Sequence, residues 1–129
     1  MVAAFDLVDT LVKINYAGSF SRRQLIENIL NAKVIYRPEG DFEIITAQQD
    51  NSEIHSAISR MVSANFPNCK RVHFVSGGEK AVAEAKAEII KRNGFTSFTD
   101  NNRTILGIIK ELLTGVTLWV MTSSGRKKY

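Results

Sequence analysis

The chain of 129 residues has one cysteine, Cys69, so no intrachain disulfide can form. Cys69 has no evident base partner in the sequence, which removes it as a candidate nucleophile. There are two histidines, His55 and His73, and no Cys/His cluster with zinc-ligand spacing. His73 falls within an apolar stretch and reads as a core or partly buried side chain. Prolines number two, and no repeat, low-complexity linker or break in composition divides the chain. No apolar run approaches the roughly 20 residues that span a bilayer. The N-terminus lacks the basic region, apolar stretch and small-residue cleavage site of a signal peptide. These absences favour a cytoplasmic protein. Ser76-Gly77-Gly78 is not followed by the Gly-Lys-Ser/Thr of a P-loop, so it reads as a plain loop.

What remains is the composition of a single globular domain, 44% apolar and 23% charged. The net charge is +4, and part of the excess lies in Arg126-Lys127-Lys128. Such a terminus suits phosphate-bearing partners, but it is expected to be a solvated, frayed tail over 123–129, with the domain itself over 1–122. Elsewhere acids and bases are mixed, which argues against a dedicated nucleic-acid-binding domain.

The pattern alternates between strand and helix. Val2 to Val12 is apolar and β-branched and fits a buried strand ending near Asp6. Asn15 to Gly18 supplies a turn, and Ser19 or Ser21 can cap a helix running to about Leu30. Val34-Ile35-Tyr36 and Phe42 to Thr46 read as strands around the turn Pro38-Glu39-Gly40-Asp41, either paired as a hairpin or lying apart. Asp50 or Ser52 can cap a second helix that Pro67 ends. Val72 to Val75 is a strand, and Glu79 to Arg92 a helix stopped by Asn93-Gly94. Phe95 to Thr99 is a strand. Asp100-Asn101-Asn102 can cap a helix from about Arg103 to Leu113, and Val116 to Met121, including Trp119 as a core residue, is the last strand. This order predicts an α/β fold, a three-layer α/β/α sandwich on a mainly parallel sheet. Ligands in such sheets sit beyond the carboxyl ends of the strands. Asp6, Thr46, Ser76 and Asp100 all fall at or just after such ends.

Phe5-Asp6-Leu7-Val8-Asp9-Thr10-Leu11-Val12 carries the sharpest signal. It closely resembles the first motif of the haloacid dehalogenase (HAD) superfamily, Asp-x-Asp-x-Thr between apolar residues. Thr46, Lys86 and Asp100 follow in the order of that family's later motifs, so the resemblance runs over roughly residues 2 to 121. It implies a Rossmann-like fold and a Mg²⁺-dependent phosphohydrolase acting on a small phosphomonoester or nucleotide. Asp6 would be the nucleophile, Thr46 would hold phosphate oxygens, and Lys86 would neutralise charge, with Lys80 as the alternative lysine. Asp6, the backbone carbonyl of Val8 and Asp100 would bind the metal. The small size implies little or no cap, so a phosphorylated nucleic-acid end could also enter. Two positions depart from the family pattern. Val8 replaces the aspartate that serves as general acid and base, and Asn101 replaces a frequent second acid. The first departure supports an alternative reading, a catalytically impaired phosphate-binding or protein-interaction module.

Overall fold

The computed structural model describes residues 2–16 and 21–129. Gly18 and Ser19, expected in the first turn and as a cap, lie outside the described residues. The elements are β1 (Ala3–Phe5), β2 (Val12–Lys13), α1 (Arg22–Leu30), β3 (Lys33–Val34), β4 (Phe42–Ala47), α2 (Ser52–Asn65), β5 (Cys69–Val75), α3 (Glu79–Asn93), β6 (Ser97–Asp100), α4 (Arg103–Leu112), β7 (Thr117–Thr122) and β8 (Gly125–Lys128). Six strands form one sheet in the order β5-β4-β1-β6-β7-β8, and β2 and β3 form a separate antiparallel pair. The first five strands of the sheet are parallel, and β8 runs antiparallel to β7. Among the described residues four helices flank it, giving the expected three-layer α/β architecture with a Rossmann-like sheet. Among the described residues, no helix is long and apolar enough to cross a membrane.

Side-chain alternation along the buried strands sorts the core into two layers. Ala4, Ile45, Phe98, Leu118 and Val120 face α3 and α4. Phe5, Phe42 and Ile44 face the other way, into a cluster with Ile54, Ile58 and Met61 of α2. The caps are local and legible. Ser21 accepts from the Gln24 N–H at 3.2 Å to start α1, and Gly94, at φ +68°, ends α3 in the left-handed conformation that favours glycine. For α2 the cap is Asn51, between the two expected residues, with its side chain accepting from the Ile54 N–H at 3.0 Å.

Of the two arrangements open for the segments around Pro38, they lie apart: β3 pairs with β2, while β4 lies between β1 and β5. One expectation is corrected. The C-terminal segment is not a frayed tail. After a tight turn at Ser123-Ser124, residues 125–128 pair with β7, Arg126 opposite Met121 and Lys128 opposite Trp119. Gly125 takes φ +109° at that turn, and the Thr122 hydroxyl donates to the Gly125 carbonyl at 2.8 Å.

The chain returns from β5 to place β6 beside β1, so the strand order reverses there. The carboxyl ends of β1 and β6 therefore flank the switch point, where such sheets bind ligands.

Candidate active site

Asp6 follows β1 directly, and its backbone N–H donates to the Thr99 carbonyl of β6 at 2.8 Å. Beyond it the chain closes a single tight turn. The Leu7 carbonyl accepts from Leu11 at 2.8 Å and from Val12 at 3.1 Å. Asp9 sits at the apex with φ +63°. This turn folds Thr10 back under Asp6, and the buried Thr10 hydroxyl donates to Asp6 Oδ2 at 3.0 Å. Asp9 points to solvent, where its carboxylate pairs with Lys13 at 2.7 Å. Val8 packs partly buried against the apolar cluster of α1 and α2.

Lys86 reaches the same point from the middle of α3. It is 1% exposed, and its ammonium donates to Asp6 Oδ1 at 3.0 Å and Asp100 Oδ2 at 2.8 Å. Asp100, at the end of β6, also accepts the Asn102 backbone N–H at 3.0 Å through Oδ1. Asn102, not Asp100, caps α4, accepting from the Ile105 N–H at 3.0 Å. Lys80 is exposed in the first turn of α3, so Lys86 is the lysine that meets the two carboxylates. Asp6, Lys86 and Asp100 thus form one buried cluster. Thr46 stands apart from it: its buried hydroxyl accepts from the Gln48 side chain at 3.0 Å.

Two residues complete the cluster that the sequence did not single out for a role. Thr10 belongs to the opening motif, and its spacing of four from Asp6 lets the tight turn after β1 bring its hydroxyl back to the carboxylate. Asn101 bridges the open edges of both carboxylates. With its amide nitrogen turned inward it donates to Asp6 Oδ2 at 3.1 Å and Asp100 Oδ1 at 3.2 Å.

The electrostatics follow from burial. The Asp6 pKa is raised to about 7: burial penalises its charged form most, Lys86 opposes that, and Asp100 adds repulsion. For Lys86, burial pulls the pKa down, but Asp6 and Asp100 outweigh it and leave the ammonium form favoured. Tyr16, 52% exposed, has its pKa raised by burial and by Asp9 and Asp6. It stands over a cleft of about 370 Å³ between α1 and the ends of β4 and β5, floored by Leu25 and Ile29 and lined by Gln48 and Ser76.

A magnesium ion takes hard oxygen ligands and keeps several waters, so one or two carboxylates suffice. Among the described residues no group of three His, Cys, Asp or Glu side chains converges. Asp6 and Asp100 do bring two carboxylates to one spot, 3.0 and 2.8 Å from the Lys86 ammonium, and two carboxylates fit a hard, water-retaining cation. No protein-family model matches the chain, and neither curated proteins nor solved structures show a detectable similarity to it.

Proposed function

We propose that this cluster is a phosphoryl-transfer site of the haloacid dehalogenase kind, with Asp6 as nucleophile and Mg²⁺ as cofactor. The observation that carries the reading is the convergence of Asp6, Lys86 and Asp100 at the switch point of the sheet. The substrate class is a small phosphomonoester or nucleotide, and the cleft beside Tyr16 is of a size to take the organic part.

The roles follow from the contacts. Lys86 fixes Asp6 Oδ1, and Thr10 fixes Oδ2, so the carboxylate is held before substrate arrives. One Asp6 oxygen attacks phosphorus, the P–O bond to the leaving group breaks, and an aspartyl-phosphate forms. Lys86 balances charge as it spreads over the equatorial oxygens. Asp6, Asp100 and the Val8 carbonyl would hold the ion, which when bound offsets repulsion between Asp6 and the anionic phosphate. The leaving oxygen needs a proton, and the acyl-phosphate then needs an activated water. Valine at position 8 supplies neither, and Asp9 is turned away. The first half-reaction is therefore favoured for good leaving groups, and the second is slow.

The test pairs a substrate panel with a structure. With Mg²⁺ and an acyl phosphate, the wild-type chain should acquire one phosphoryl group, seen as a mass increase, and Asp6→Asn should not. Unfolding is separated from loss of chemistry by a thermal melt. Asn keeps the size of Asp6 and removes a buried charge. Because the Asp6 pKa is raised, its ionised form costs stability as pH climbs from the usual carboxylate range through about 7. In metal-free buffer, Asp6→Asn should melt above wild type at pH 8, and the gain should fade towards pH 5. No phosphoryl adduct on any donor, and no density on Asp6 with Mg²⁺ and BeF₃⁻, would leave only the binding-module reading.

A further inference from the structure

The layer formed by α1 and α2 covers only half of its side of the sheet. Its apolar cluster contains no residue beyond Phe74, whereas the opposite layer reaches Phe98, Leu118 and Val120. On the uncovered half, Ser97 and Thr117 of β6 and β7 present small polar side chains beside Ala3. Trp119 stands among them, partly exposed. The fold thus leaves a shallow floor with one large aromatic ring on it.

The strand β8 gives this face its charge. Register with β7 sets Arg126 and Lys128 on the side of Trp119 and Met121. The Arg126 guanidinium lies 4.4 Å from the Trp119 ring centre and 5.8 Å from that of Phe5. Among the described residues, neither Arg126 nor Lys128 has an acidic partner. Arg37, across the groove, is anchored on the Asn65 carbonyl and over the Phe66 ring, and Glu39 is the one acid on this wall. The space between the walls is about 730 Å³. A second space of about 530 Å³ shares Tyr36 with it and ends at Asn101, which bridges Asp6 and Asp100.

We propose that this groove binds single-stranded nucleic acid, a base stacking on Trp119 and backbone phosphates lying along Arg126 and Lys128. Basic side chains that track a backbone, combined with an aromatic ring that takes a base, form the recognition mode of sequence-tolerant single-strand binders. The small floor residues leave room for a base to lie flat, which an acidic peptide would not use. In the free chain Arg126 covers the indole. With a strand bound, a base takes the ring and the guanidinium moves to a phosphate. The inference goes beyond the phosphoryl-transfer reading and does not require it. If both hold, the groove leads a strand end towards Asp6.

Trp119 is the sole tryptophan of the chain, so its emission reports on this groove in the wild-type protein. Titration with a 12-nucleotide oligo(dT) in EDTA, where no phosphoryl transfer is needed, should quench that emission. The log–log salt slope should be about −1.4, for two phosphates at about −0.7 each. Arg126→Gln with Lys128→Gln should weaken binding about tenfold or more, in the range of one lost stack or two lost phosphate contacts. Should that variant misfold, the wild-type quench and slope decide alone. Absence of quenching up to about 100 μM at low salt overturns the proposal. So does binding seen by anisotropy that leaves Trp119 unchanged, or equal quenching by poly-glutamate. A phosphoryl adduct on Asp6 without quenching leaves the phosphoryl-transfer reading standing and this one fallen. Quenching without an adduct does the reverse.

Discussion

Val8→Asp should raise the rate of phosphate release from a monoester by about 10²–10⁴-fold, the usual contribution of a placed general acid and base. Under the proposed phosphoryl-transfer reading, a carboxyl at position 8 would join a site in which the other partners are already held. Lys86 and Thr10 fix Asp6, and Asn101 and Asn102 hold Asp100. No rearrangement of the cluster is needed, only a group that can give a proton to the leaving oxygen and take one from water. The gain should be largest for poor leaving groups such as alkyl phosphates and small for acyl phosphates, which leave without protonation. Val8→Asn, close in size but unable to transfer the proton, should stay near wild type. Because Val8 packs partly buried against the apolar cluster of α1 and α2, the aspartate should lower stability by about 1 kcal/mol, as is common for such a change. Steady-state phosphate release across a leaving-group series, alongside a denaturation curve, measures both. A wild-type rate already equal to that of Val8→Asp across the series would sink the idea that position 8 limits turnover.

The layout of this site was legible because it depends on period and order. Buried parallel strands leave long apolar runs, and a polar residue that closes such a run marks a strand's carboxyl end. Asp6 and Asp100 were found in this way, and the switch of strand order brought them together. Lys86 was legible only as one of two lysines. Its separation from Asp100 suits a helix, turn and strand, but a count cannot show which side of α3 faces the sheet. Burial of Ala83, Ala87 and Ile90 on that side settles the choice.

What was not legible depends on contacts between distant segments. Asn101 looked like a lost acid, whereas its amide nitrogen donates to both carboxylates at one spot. The C-terminal strand escaped for a different reason. Its turn, Ser123-Ser124-Gly125, lacks the Asn-Gly or Asp-Gly signal of two-residue hairpins, and Arg126-Lys127-Lys128 has the composition of a tail. A short, basic edge strand is a common way to discourage further sheet pairing, so a charge run at a sheet edge need not be unstructured. Trp119, expected in the core, is partly exposed because no helix among the described residues lies over β7 on its side, and Arg126 covers it instead.

Lys86→Met should cost about 3–5 kcal/mol of stability at pH 8, the usual effect of removing one partner from a buried ion pair. Methionine is close to lysine in length and fills the space, so the loss isolates charge from packing. Two carboxylates then face each other with no cation between them, Asp6 being 7% and Asp100 1% exposed. The contact with the Phe98 ring at 5.5 Å is lost as well. The pH dependence follows from the direction of the shifts. Lys86 is the main influence lowering the Asp6 pKa. Without it, the folded-state value rises further above the unfolded one. A carboxyl raised in this way is most compatible with the fold below its unfolded pKa and costs stability as pH rises through its folded pKa. The deficit of Lys86→Met should therefore shrink between pH 8 and pH 5 in metal-free buffer. Lys86→Arg should not rescue it, since the planar guanidinium does not match the slot of a compact ammonium between two single oxygens. Adding Asp6→Asn to Lys86→Met should recover part of the loss by removing one of the two opposed charges. Urea denaturation of the four proteins at both pH values gives the comparison. A deficit independent of pH, or no recovery in the double variant, would mean that Lys86 acts through packing and not through the charge that the proposed chemistry needs.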